Sequence, residues 1–313
     1  MKAILAVSTT SFALSLFLLA APSNSRAQNL FVANGGNNTI EEFNSSGVGT
    51  VFASSGLDVP EGMAFDSAGN LYVANEGGGT IVEFSSSGGV LRNVGTVIAS
   101  GLNIPRGLAV DAAGNLYVAS DGYSVLKITS GVGTLFASTR PTPIGLAFDS
   151  SGNLYVAIQG GDANGITDRI EEFNSSGGVL SSNGTVFAGA SWEVNYPSYL
   201  AFDKSGNLYV GNPGNNTVGE FNPSGVGTVF ASSGLNNPQG MAFDNSGNLY
   251  VANGGNNTIE EFNSSGVGKV FASSGVNQPF GLAIQVPEPS TWAMVAMGIG
   301  TLLGGLRLPR RSS

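Results

Sequence analysis

The sequence predicts an all-β fold, a six-bladed β-propeller with four short strands per blade, and two repeated motifs carry that prediction. Asn-Leu-(Tyr/Phe)-Val occurs six times, from Asn29, Asn70, Asn115, Asn153, Asn207 and Asn248, at spacings of 41, 45, 38, 54 and 41 residues. Units of that length containing several short strands are blades of a propeller. Pro-x-(Gly/Tyr)-(Leu/Met)-Ala also occurs six times, from Pro60, Pro105, Pro143, Pro197, Pro238 and Pro279. The two series are offset: the first opens the array at Asn29 and the second ends it at Pro279. Joining the ends completes a blade and closes the ring by strand pairing, which leaves only short edges.

Taken in order, Met1-Lys2 and the apolar run Ala3 to Ala21, followed by Ser25-Arg26-Ala27, read as a secretory signal peptide cleaved after Ala27. Residues 28–285 form the propeller. The first strand of each unit, as in residues 62–66, is small and apolar and suits the crowded position around the axis. Asp66-Ser67-Ala68-Gly69-Asn70 makes a tight turn, with Asp capping the backbone and Gly at positive φ. Leu71-Tyr72-Val73-Ala74 is the β-rich second strand. Thr39-Ile40-Glu41-Glu42-Phe43 is a third strand and Thr50-Val51-Phe52-Ala53 the outer fourth.

The third strand departs from period 2, because Ile40 and Phe43 are three apart, as are Ile81/Phe84 and their equivalents. A bulge in that strand would bring both to one packed face. The column Glu42, Glu83, Lys127, Glu172, Glu220, Glu261 reads as a solvated row that discourages edge pairing, with a ring of cation ligands as the alternative.

Composition excludes several chemistries. The 313 residues include no cysteine and no histidine, so thiolate chemistry, a Ser-His-Asp triad and an imidazole-built zinc site are all absent. The net charge is −9. Five of the 12 basic residues, Lys2, Arg26, Arg307, Arg310 and Arg311, lie in the terminal segments, so the repeat region is more acidic still. Such a surface repels phosphate backbones and argues against a nucleic-acid partner.

The pattern Gly-Leu-Ala-Phe-Asp-x-x-Gly-Asn-Leu-Tyr-Val-Ala-Asn, with a later x-Ile-x-x-Phe, resembles the NHL repeat. More broadly it resembles six-bladed propellers of the gluconolactonase-like superfamily. Residues 286–313 contain Val286-Pro287-Glu288-Pro289-Ser290-Thr291-Trp292, an apolar segment from Ala293 to Leu306, and a basic end. This tail resembles a PEP-CTERM sorting signal with its transmembrane segment. That resemblance implies a Gram-negative exporter, cleavage by an exosortase and release to the cell surface or biofilm matrix. Membrane contact is then confined to the transient tail.

A propeller gathers the loops before its first strands and after its second strands on one face, around the channel mouth. The superfamily resemblance implies a divalent cation there, held in part by the residue after the proline. Those positions read Glu61, Arg106, Ile144, Ser198, Gln239 and Phe280; one is a carboxylate, and Arg106 repels a central cation. The exits of second strands add Asn34, Asn75, Ser120, Ile158, Asn212 and Asn253. Their amide oxygens suit Ca²⁺, although Asn is equally the ordinary turn residue. Asp162 and Asp168 in one long exit loop have a partial likeness to a Ca²⁺ loop.

Another insertion carries Trp192, Glu193, Tyr196 and Tyr199, and Tyr123 projects from a further exit loop. Aromatics beside carboxylates and amides suit stacking on sugar rings. Two functions follow. One is a non-catalytic exported module with no cofactor, binding a glycan or an exported matrix protein at Glu61, Arg106, Gln239 and the aromatic rim. The other is a cation-dependent lactonase-type hydrolase that uses Ca²⁺ at Glu61, Asn75, Asn212 and Asn253.

Overall fold

The computed structural model describes residues 28–160, 168–189, 191 and 193–285, and every regular element among them is a β-strand. Six four-stranded antiparallel sheets form the blades. Blade 1 runs from the axis outward as Pro279–Ile284, Leu30–Asn34, Thr39–Phe43 and Gly49–Ala53. Blades 2 to 6 begin at Pro60–Phe65, Pro105–Val110, Thr142–Phe148, Leu200–Phe202 and Pro238–Phe243, each followed by its next strands in chain order. Two small hairpins, Ser86–Ser87 with Val90–Leu91 and Ser175–Ser176 with Val179–Leu180, extend blades 2 and 4.

Closure is the expected one. Leu30 pairs with Ile284, Phe31 with Ala283 and Val32 with Leu282. Asn34 fastens the seam further: its Nδ2 donates to the Gly275 carbonyl at 2.8 Å, and its Oδ1 accepts from the Asn277 amide at 3.0 Å.

The inner strands need glycine because their backbones nearly touch. A Cβ on Gly62 would lie 2.3 Å from the Arg106 carbonyl oxygen, and one on Gly281 would lie 2.2 Å from that of Glu61. The same position is Gly107, Gly145 and Gly240 in three other blades and Tyr199 in blade 5. Behind the inner strands, the Asp turns form as the sequence predicts. Asp66 Oδ1 accepts from the amides of Ala68 and Asn70, and its Oδ2 from Asn70 Nδ2.

The core lies between blades. Phe31, Phe52, Phe65 and Phe84 interlock at the seam of blades 1 and 2, with edge-on ring centroids 5.2 to 5.6 Å apart. Such pairs add about 0.5–1.5 kcal/mol each beyond the area they bury.

Packing between blades corrects the expected third-strand bulge. That strand is regular against its neighbour, from Leu30 opposite Phe43 to Asn34 opposite Thr39. Ile40 packs toward blade 2 and Phe43 toward blade 6. Residues three apart lie on opposite faces, and both faces are buried because every blade sits between two others. The bulge is in the outer strand instead: Ile40 opposes Ala53 and Glu41 opposes Val51, leaving Phe52 as the extra residue. Ile98, Phe136, Phe187, Phe230 and Phe271 hold the same place in the other blades.

The third-strand charges are corrected with it. They are half-buried, and several are bonded across the sheet, as where the Tyr155 hydroxyl donates to Glu172 Oε1 at 2.9 Å. The true edge, the outer strand, carries one charge, Lys269, which is 3.1 Å from Glu261.

Candidate functional site

The channel mouth is built by two local devices repeated around the ring. Where the inner strand meets the second strand, two residues oppose one. Pro60 pairs with Asn75 and Met63 with Val73, so Glu61 and Gly62 share the span opposite Ala74. This bulge presents the residue after the proline to the mouth, a common use of bulges beside sites. The residue before the proline then takes a left-handed backbone: φ is 48° at Val59, 45° at Ile104, 52° at Asn237 and 44° at Gln278. Asn accepts that conformation readily, whereas β-branched Val59 and Ile104 are strained in it. The strain sits on the turns that present Glu61 and Arg106.

Those two side chains meet. Arg106 Nη1 lies 3.4 Å from Glu61 Oε1 and its Nη2 3.5 Å from Glu76 Oε1, while its Nε is 3.9 Å from Asp121 Oδ1. Three carboxyl groups thus surround one guanidinium. Glu61 is only 3% exposed, and burial pushes its carboxyl well above the ordinary value of 4.5. A side-chain hydrogen bond with Glu76 raises it further, and Arg106 only partly offsets the two. Glu61 therefore holds its proton to higher pH than an ordinary carboxyl group does.

Tyr199 completes the cluster from across the axis, since blade 5 stands opposite blade 2 in the ring. Its hydroxyl is buried and pushed well above 10, by burial first and then by the charge of Glu61. Among the described residues the hydroxyl has no hydrogen-bond partner, and neither has the buried Nε of Arg106. The sequence places Tyr199 with the stacking aromatics; in the structure it stands where other blades carry an axial glycine, and its hydroxyl is buried.

The expected amide ligands have another role. Asn75 Nδ2 donates to the Gly56 carbonyl at 2.9 Å, and its Oδ1 accepts from the Asp58 amide at 3.4 Å. Asn212 is tied in the same way to Glu193 and Asn195, and Asn253 to Gly234 and Asn236. These buried amides staple each second strand to the loop before its blade, and their oxygens are occupied by loop N–H groups. Asp168 also bridges: its oxygens accept from the amides of Gly160 and Tyr196, joining the two long loops. Among the described residues no three His, Cys, Asp or Glu side chains form a group able to hold a metal.

On the rim, Tyr123 is 45% and Tyr196 51% exposed, Glu193 is half-buried, and Gln239 Nε2 donates to Asn237 Oδ1 at 3.0 Å. Trp192, Asp162 and the Pro287-Glu288-Pro289 motif lie outside the described residues. Sequence reasoning missed Glu76 and Asp121. Each follows the exit residue it did consider, at a position that is Gly35, Gln159, Pro213 and Gly254 in the other blades.

Comparison with known families and structures accords with this architecture. Residues 235–262 match the NHL repeat, and residues 285–311 match the PEP-CTERM protein-sorting motif. One blade's length of the chain thus matches the NHL repeat, and its tail matches a sorting motif. A PEP-CTERM signal indicates export to the cell surface in Gram-negative bacteria and implies processing by an exosortase. No curated protein matches the sequence.

Among solved structures, a chain of a nidogen/laminin complex is 21% identical with a TM-score of 0.70, covering 84% of this chain and 100% of that one. A catalytically inactive His→Ala variant of virginiamycin B lyase from Staphylococcus aureus, with quinupristin, is 17% identical (TM-score 0.53; coverage 81% and 78%). A gluconolactonase from Xanthomonas campestris is 19% identical (TM-score 0.56; coverage 72% and 79%). At these identities the likeness shows the fold alone.

Proposed function

We propose that the protein is an exported, surface-associated binding module that holds a glycan at its channel mouth without transforming it. The observation that carries this reading is the position of Arg106. Its guanidinium lies among Glu61, Glu76 and Asp121, where a cation-dependent hydrolase would need its metal. The carboxyl groups are thereby partly neutralised by the protein itself, while Tyr123 and Tyr196 stand exposed on the rim. Exposed rings flanking a polar floor are the usual composition of a sugar site.

The fold neighbours supply the competing reading. A lactonase reaction draws support from the gluconolactonase likeness and from the Glu61–Glu76 carboxyl pair. A lyase like that of Staphylococcus aureus is disfavoured, since that enzyme is inactive as a His→Ala variant and this chain has no histidine. Calorimetric titration of the protein with cellohexaose, mannohexaose and oligogalacturonate, beside a panel of lactones assayed with added Ca²⁺, separates the readings. Binding of a hexasaccharide without lactone turnover is expected. Calcium-dependent turnover, lost in Glu61→Gln, would overturn the proposal.

A further inference from the structure

Resting on the glycan reading, we infer that Tyr199, Arg106 and Asp121 form an axial subsite for the paired hydroxyls of an uncharged sugar residue. Two buried polar groups in this cluster have no hydrogen-bond partner among the described residues: the Tyr199 hydroxyl and the Arg106 Nε–H, whose only near acceptor is Asp121 Oδ1 at 3.9 Å. Leaving such groups unpaired is costly, and natural folds keep them where a function or a bound species supplies what is missing. The missing partners define the ligand. Arg106 Nε needs an acceptor, Tyr199 needs a donor or an acceptor, and the oxygens of Asp121 and Glu76 need donors. A hydroxyl is both donor and acceptor. One sugar hydroxyl accepts from Arg106 while donating to Asp121, and its neighbour on the ring does the same with Tyr199 and Glu76.

Charge selects within that class. Among the described residues, the titratable or charged groups facing this point are Glu61, Glu76, Asp121, Arg106 and Tyr199. The acids outnumber the single cation whether or not Glu61 holds its proton. A uronate or a sulfated sugar meets like charge here, and the chain's −9 adds to the repulsion. A neutral hexose does not.

Access comes from Arg106, whose side chain is 26% exposed. A small swing of that side chain opens the axial position.

Tyr199→Phe tests the subsite cleanly, because it removes a hydroxyl that bonds nothing in the free protein. Melting temperature should stay the same or rise, while affinity for a neutral hexasaccharide (cellohexaose or mannohexaose) falls about tenfold, or ~1.4 kcal/mol. Oligogalacturonate should bind at least tenfold more weakly than either neutral sugar. If Tyr199→Phe binds the neutral sugars like the parent while Tyr196→Ala does not, the axial subsite is wrong and the rim reading stands. If oligogalacturonate binds tightest, the selection by charge is wrong. Failure of all three sugars to bind the parent protein would overturn the glycan reading and the subsite together.

Discussion

Residues 29–57, in blade 1 and the loop leaving it, and residues 248–276 of blade 6 differ only at Phe31/Tyr250, Thr50/Lys269 and Leu57/Val276. Blades 2 and 3 follow the same plan but depart from it in three places, two of which lie together at the mouth. Their exit loops carry Glu76 and Asp121 where blades 1 and 6 carry Gly35 and Gly254. Their approach turns force Val59 and Ile104 into left-handed backbone where the others use Gln278 and Asn237. Their shared seam is packed by Tyr72, Ile98, Val110 and Ile128, whereas the seam of blades 6 and 1 stacks Tyr250 on Phe271 with centroids 4.9 Å apart. The near-duplicate blades show what the repeat needs in order to close a ring. The loop and turn differences in blades 2 and 3 add nothing to closure and lie at the mouth, so they mark the site, whereas the seam difference belongs to the packing between blades.

The largest expected effect breaks the comparison at its seams. Phe52→Ala removes the hub of an aromatic stack and should cost about 3–5 kcal/mol, as truncation of a packed Phe does. Ile98→Ala, the equivalent change in the blade 2–3 seam, should cost nearer ~2 kcal/mol. Denaturant unfolding of the two variants measures the gap; equal losses would mean that the seams are equivalent.

A smaller effect has the opposite sign. Val59→Asn relieves a β-branched residue at φ 48° and should stabilise the protein by about 1 kcal/mol. Asn237, already suited to its φ of 52°, should gain nothing on replacement by Gly. If Val59→Asn is destabilising, packing of the Val59 side chain outweighs the backbone strain.

The smallest effect is in pH dependence. Glu61 holds its proton more tightly in the folded protein than in the unfolded chain. The stability it contributes is therefore fully present below about 4.5 and is lost as pH rises through the raised folded value. Glu41 and Glu260, also raised by burial, contribute in the same direction. Glu61→Gln should flatten the decline of melting temperature above pH 4.5 without abolishing it. An unchanged slope would mean that Glu61 is ionised throughout.

Much of the fold was legible because it is periodic. Blade number, the closing strand, the axial glycines and the Asp turns each recur six or nearly six times in the sequence. The bulge was misplaced because alternation was read for a sheet with one buried face, and here Ile40 and Phe43 are buried on opposite faces. The site was legible only in part. Glu61 and Arg106 stood out by position, but their contact depends on the bulges that turn both toward the mouth. Asn75, Asn212 and Asn253 are ambiguous in sequence, since an amide suits a ligand, a turn or a staple equally. Tyr199 was visible as an exception to glycine, yet its direction follows from blade 5 lying opposite blade 2, which only the closed ring fixes.

Hydrogen exchange read by mass spectrometry, with and without the neutral hexasaccharide that binds tightest in calorimetry, tests the division between scaffold and site most directly. The account predicts that slowed exchange falls on residues 58–62, 75–78, 103–107, 120–123 and 195–200. The near-duplicate exit loops 34–38 and 253–257 should be unchanged. Protection centred on those two loops, or spread equally over all six blades, would contradict it.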